Sequence, residues 1–130
     1  MIIKQFILAL IPLIIFDAIW LFSMKSFYSS KIGHLMAQNP KWIPVALFYV
    51  AYAVGITILI ALPAQAQNFS YTKVFLMGAL LGFVAYGAYD FTNHAILKDW
   101  STAVTIIDLA WGTFLTGAVS LVSVLIGRLL

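Results

Sequence analysis

The chain has 130 residues, 64% of them hydrophobic and 8% charged, with seven Lys or Arg against four Asp and a net charge of +3. Soluble domains hold about 45–50% apolar and about 25% charged residues, and a domain this small needs a largely polar surface. The composition excludes a soluble enzyme, a disordered tail and a nucleic-acid module, and without Cys it also excludes disulfides and thiolate chemistry; what remains is an integral membrane protein.

A hydrocarbon core about 30 Å thick is crossed by about 20 apolar residues in a helix. Four runs reach that length: residues 2–24, 43–62, 74–97 and 103–130. Backbone polar groups in lipid must be satisfied within the segment, so each run is expected to be helical. The first run has Asp17 inside it and no small-residue cleavage site at its end, and reads as a retained span rather than a cleaved leader. Pro12 is expected to kink it. In residues 25–41, Phe27, Tyr28, Ile32, Leu35 and Met36 recur at helical spacing, which predicts either a short interfacial helix or an extension of the first span. Pro44 sits near the start of the second span and Pro63 is expected to close it after Leu62. Residues 65–72 read as a polar loop, and Lys98, Asp99, Trp100 and Ser101 as a tight turn. The expected fold is all-α: one integral membrane domain forming an antiparallel four-helix transmembrane bundle.

In that arrangement the connections after spans one and three share a side, here side A. It carries Lys25, Lys31, Lys41 and Lys98, against Lys4, Lys73 and Arg128 opposite. The slight excess points side A toward the cytoplasm, and the near-balance also permits dual insertion.

Three acids fall at one depth. Asp17, Asp90 and Asp108, each on a different span, lie roughly 8–10 Å below the side-A surface. Each costs about 2.5–3.5 kcal/mol at the centre of a spanning helix, so all three are expected to face the bundle interior. On span three, Gly78, Gly82, Tyr86, Asp90, Asn93 and His94 form one stripe, and Gly78 and Gly82 form a GxxxG that admits a close neighbour. Asp17 and Trp20 share a face of span one, Asp108 and Trp111 a face of span four, and Tyr49 and Tyr52 lie near the side-A end of span two. The expected ligand-binding set is therefore Asp17, Trp20, Tyr49, Tyr52, Tyr86, Tyr89, Asp90, Asn93, Asp108 and Trp111. Plainer readings compete. Trp42 and Trp100, with Tyr28 and Tyr71, fit interfacial aromatics, and Trp20 and Trp111 could be the same. The acids could lock the bundle through hydrogen bonds, and His94 could simply bond Asp90 one turn earlier.

The chain resembles a family at four blocks: Asp17-Ala18-Ile19-Trp20-Leu21, Phe48-Tyr49-Val50-Ala51-Tyr52-Ala53-Val54-Gly55, Tyr89-Asp90-Phe91-Thr92-Asn93-His94-Ala95-Ile96-Leu97-Lys98-Asp99-Trp100, and Asp108-Leu109-Ala110-Trp111-Gly112. It is similar to a bacterial family of small four-span membrane proteins classed as a domain of unknown function. The resemblance implies the topology and a bacterial inner (plasma) membrane, but no activity. His94 stands where the family has an apolar residue, and Ser101 where it has Pro.

Three functions follow from these residues. The first is a pocket that binds or conducts a small ligand, a cation or a proton, with a homodimer implied because four spans are few for a transporter. The second is an intramembrane metal site or metalloenzyme with Asp90 and His94 as ligands, completed by Asp17 and Asp108. The third is a structural accessory subunit in which the polar cluster only joins helices. No Ser has a nucleophile-elbow context and no phosphate-cradling loop is present. His94 is the one intramembrane candidate for a haem ligand, no cofactor is specified, and His34 reads as a solvated loop residue.

Overall fold

A chain surrounded by hydrocarbon must close its backbone hydrogen bonds inside each segment. The computed structural model, which describes all residues from Met1 to Leu130, does so with helices alone. They are α1 (Ile2–Ser23), α2 (Lys25–Ile32), a 3-10 turn (Gly33–Leu35), α3 (Trp42–Ile56), a π turn (Thr57–Ala61), α4 (Leu62–Gln67), α5 (Tyr71–Ile96) and α6 (Thr102–Leu129). α3, the π turn and α4 run on as one helix, giving four apolar helices of 22, 26, 26 and 28 residues. At 1.5 Å per residue these are about 33–42 Å long, enough to cross a bilayer.

One proline expectation is corrected. Pro63 does not close the second span, which continues to Gln67. Proline lacks the N–H for the preceding turn, and its ring crowds that turn's carbonyl. The wider π turn immediately before it takes up the misfit. The helix ends instead at Asn68, whose left-handed backbone (φ 51°) Asn tolerates. Pro12 lies inside an unbroken α1. Gln65 and Gln67, read as loop, are helical.

The connection after α1 is a distinct short helix. Met24 (φ −103°, ψ 9°) leaves helical dihedrals, yet its N–H bonds the Trp20 carbonyl (2.8 Å) and its carbonyl accepts from Tyr28 N–H (3.1 Å). α2 therefore starts without a loop and turns over the side-A end of the bundle, with Ile32 buried. Ser70 and Ser101 cap α5 and α6 by accepting from Lys73 N–H (3.1 Å) and Val104 N–H (3.4 Å).

Apolar side chains point outward and polar ones inward. Ile7, Ile11, Ile15 and Ile19 on α1, Leu47 and Ile58 on the second span, and Leu76, Leu80 and Phe83 on α5 are exposed, as lipid requires. Gln5, Asp17, Thr57, Asp90, Thr105, Thr116, Ser120 and Ser123 are buried. The apolar core is split. Ala9, Leu13, Ala53, Ile56, Leu115 and Val119 pack at the middle, and Ile60, Ala61, Ala64, Val74 and Val124 toward the other end.

α5 and α6 form the tightest pair because glycine lines their contact. A Cβ on Gly82 would stand 2.2 Å from the Gly112 carbonyl oxygen, and one on Gly78 2.6 Å from Thr116 O. Gly112 in turn receives the Tyr86 ring, which a Cβ would meet at 2.1 Å. The far end is closed by polar groups unseen in the sequence reading. Gln5 donates to Ser123 Oγ (3.2 Å), Gln65 to Val124 O (3.1 Å), and Arg128 to the carbonyls of Ala64 (3.0 Å) and Phe69 (2.8 Å).

Gly82→Ala is expected to destabilise the bundle by about 1–3 kcal/mol through overpacking against α6. Gly55→Ala, with open space around it, is expected to be neutral or to gain up to about 1 kcal/mol in helix propensity. Unfolding in mild detergent measures both; equal effects would show that the α5–α6 contact is not what the glycines serve.

Candidate functional site

α1 and α6 run in opposite directions, and each carries Asp-x-x-Trp near side A. The antiparallel register sets the Asp of one motif against the Trp of the other. Trp111 Nε1 donates to Asp17 Oδ1 (3.1 Å). Trp20 Nε1 donates to the Tyr28 hydroxyl (3.1 Å), which donates to Asp108 Oδ1 (2.8 Å). Between these links the two indoles stack, 4.4 Å apart and 3° from parallel. The second Asp17 oxygen accepts from the Tyr49 hydroxyl of α3. The two motifs thus interlock, directly on one side and through Tyr28 of α2 on the other.

Tyr28 is the residue missed in the sequence, where it was read as an interfacial aromatic. The signal was present: Trp20, Met24 and Tyr28 are spaced i, i+4, i+8, continuing the Asp17 stripe past the end of α1. Burial, and then the negative charge of Asp108, push the Tyr28 phenol above its ordinary pKa. It stays protonated and donating over the whole physiological range.

Asp17 and Asp108 line one open cavity of about 330 Å3, walled by Trp20, Phe48, Tyr86 and Tyr89. A second cavity of about 360 Å3 adjoins it toward side A, sharing Leu21, Tyr89 and Asp108 and adding Lys25, Tyr28 and Trp100. No Lys or Arg pairs with Asp17, Asp90 or Asp108. The one approach of a basic side chain to a carboxylate within 4.0 Å is that of His34 Nε2 to Asp99 Oδ2 (3.9 Å), exposed on side A. His34, read as a solvated loop residue, thus has an acidic neighbour.

The other members of the expected set stand behind this cavity. Asp90 is 0% exposed, no N–H or O–H reaches either of its oxygens, and the carboxyl of Asp108 is its ionisable neighbour. Tyr49 and Trp111 hold Asp17 in place and do not line the cavity. Tyr52 bonds Thr116 Oγ1 (2.6 Å), lower in the bundle. Asn93 is half-buried beside the Tyr89 hydroxyl.

His94 does not bond Asp90. Its ring nitrogens face Thr102 Oγ1 and Thr105 Oγ1, each at 3.2 Å. The glycine-lined contact brings the start of α6 close to the end of α5, so those threonines reach the imidazole. No group of three or more His, Asp or Glu is placed to hold a metal ion, and the Asp90–His94 pair gains no third ligand. Trp100 is half-buried; its Nε1 donates to Thr105 Oγ1 (3.0 Å) and its ring meets Tyr89 edge-on.

The stacked indoles are expected to give an exciton couplet in circular dichroism. Trp20→Phe and Trp111→Phe should each abolish it whole, while Trp42→Phe and Trp100→Phe should leave it. Loss in equal parts across all four variants would mean the rings are not paired.

Comparison with known proteins agrees with the helical, membrane-spanning architecture. No curated protein and no solved structure matches the chain. A family described as "Predicted membrane protein (DUF2177)" matches residues 2–125, nearly the whole length. The chain therefore belongs to this family of predicted membrane proteins.

Proposed function

We propose that this membrane protein binds a small organic cation between α1, α3, α5 and α6, with Asp17 and Asp108 supplying the charge. One observation carries the reading. Two carboxylates border a single aromatic-walled cavity, and no basic side chain of the protein neutralises either. A charge at this depth is retained only with a partner, water or a function. Ring faces of Trp20, Phe48, Tyr86 and Tyr89 suit a substituted ammonium, which gains from cation–π attraction and from carboxylates at short range. The volume is that of a small-molecule site.

Two features support this occupant over others. A hard metal ion takes six or more oxygens, whereas the stacked indoles stand between Asp17 and Asp108 and no further acid lines the cavity. A purely structural cluster returns only about 0.6 kcal/mol per interhelical hydrogen bond, a weak offset for three acids. The route of entry follows from the packing. α3 lies against α1, whereas α3 and α5 meet through side chains such as the edge-on Tyr52 and Tyr86 rings, which favours entry from the bilayer between them. An amphiphilic amine fits that access better than a strongly hydrated ion.

Benzyltrimethylammonium is a suitable probe because its charge does not titrate. Its binding to the purified protein, followed by tryptophan fluorescence, is expected to weaken about tenfold or more in Asp108→Asn and in Asp17→Asn, about 1.4 kcal/mol or more. Asp99→Asn should bind as the wild type does. Equal affinity in all four proteins, or no binding by the wild type, would refute the reading.

A further inference from the structure

Asp90 is the one ionisable side chain that the cation site leaves unexplained. It is fully buried on the glycine face of α5, and both its oxygens lack a donor. Buried polar atoms are almost always satisfied, so this vacancy calls for a hydrogen that heavy-atom geometry does not display. The groups facing it are few. From α6 comes Asp108, within hydrogen-bonding reach. From α2 comes Tyr28, whose one hydrogen already goes to Asp108; Lys25 stays at the wall of the side-A cavity. α1 offers Asp17, which is held by Trp111 and Tyr49. On α5 itself, Tyr89 lies one residue away in the cavity wall, and His94 is turned to Thr102 and Thr105. No cation is among the groups that reach Asp90. Two carboxyls in contact, without a cation, are satisfied together by a single proton between them, since both cannot be ionised at that separation.

We infer that Asp90 and Asp108 form a proton-binding pair holding one proton, and that a cation seated against Asp108 displaces it. The second half of this inference rests on the cation reading above; the first does not. The charge balances. With the proton in place the pair carries −1. With the cation bound and the proton gone, the pair carries −2 and the guest +1, again −1. The exchange leaves the net charge of a low-dielectric region unchanged, which spares the large penalty of adding a charge there. The proton leaves through the side-A cavity, which Asp108 also lines.

Two measurements on the full chain separate the halves. Infrared spectra of the wild type at neutral pH are expected to show the carbonyl stretch of a protonated carboxyl. The band should vanish in Asp90→Asn and in Asp108→Asn and persist in Asp17→Asn. Its absence from the wild type, or its persistence in both pair variants, overturns the proton site. In unbuffered solution, benzyltrimethylammonium binding should release one proton, and affinity should rise by up to about tenfold per pH unit. Asp90→Asn, which keeps Asp108 as the lone acid of the pair, should bind with no proton release and no pH dependence. Binding without proton release by the wild type overturns the exchange, as does an unchanged pH profile in Asp90→Asn. An infrared band as expected, together with no binding of the probe, upholds the proton pair and overturns the cation reading and the exchange with it.

Discussion

The hydrogen bond from Trp111 to Asp17 is the contact on which the side-A half of the bundle depends. It joins the first and last spans, places a carboxylate inside hydrocarbon with an N–H aimed at it, and brings Trp111 under Trp20 so that the rings stack. An acid this deep is tolerable when its oxygens are satisfied, and Asp17 has both satisfied, the second by Tyr49. Asp108 is treated differently. Only one of its oxygens receives a hydroxyl, and that hydroxyl comes from outside the spans, on α2. The asymmetry between the two Asp-x-x-Trp motifs is what makes Asp108 the candidate for binding. Both acids border the cavity, but Asp17 is held at both oxygens, whereas Asp108 meets a buried neighbour and a tyrosine that bridges it to Trp20.

The other half of the bundle is built for rigidity. Gly78, Gly82, Gly112 and Gly117 let α5 and α6 approach until backbone touches backbone, which suits a solvent in which close packing replaces the hydrophobic effect as the joining force. Arg128, Gln65 and Gln5 tie the termini of three spans together. The π turn widens the second span where it meets α5, and the side-A half of that span packs on α1. Polar groups thus tie the bundle together at the far end, and the cavities bordered by acids lie near side A.

Much of this was legible in the sequence. Four apolar runs of spanning length admit one architecture, and acids inside them must turn inward, so the spans and the inward side of Asp17, Asp90 and Asp108 could be read from composition and spacing. The pairing of partners could not. His94 lies one turn from Asp90, and helical spacing alone favours their contact; the approach of α6, a tertiary fact, turned it to Thr102 and Thr105 instead. Tyr28 was obscured because it follows the apolar run, where tyrosines ordinarily mark the interface. Pro63 misled because proline stops most helices, and a π turn is invisible to hydropathy. Gln65 reads as loop and Arg128 as a charge at the end of a span, since their targets are backbone carbonyls that carry no sequence signature.

A double-mutant cycle between Asp17→Ala and Trp111→Phe, read as unfolding free energy in detergent, tests the joint most directly. The account predicts a favourable coupling of about 0.6–1.7 kcal/mol, and none between Asp17→Ala and Trp100→Phe. Additive effects of the first pair would mean that α1 and α6 are not joined there, and the cavity beside them would lose its wall.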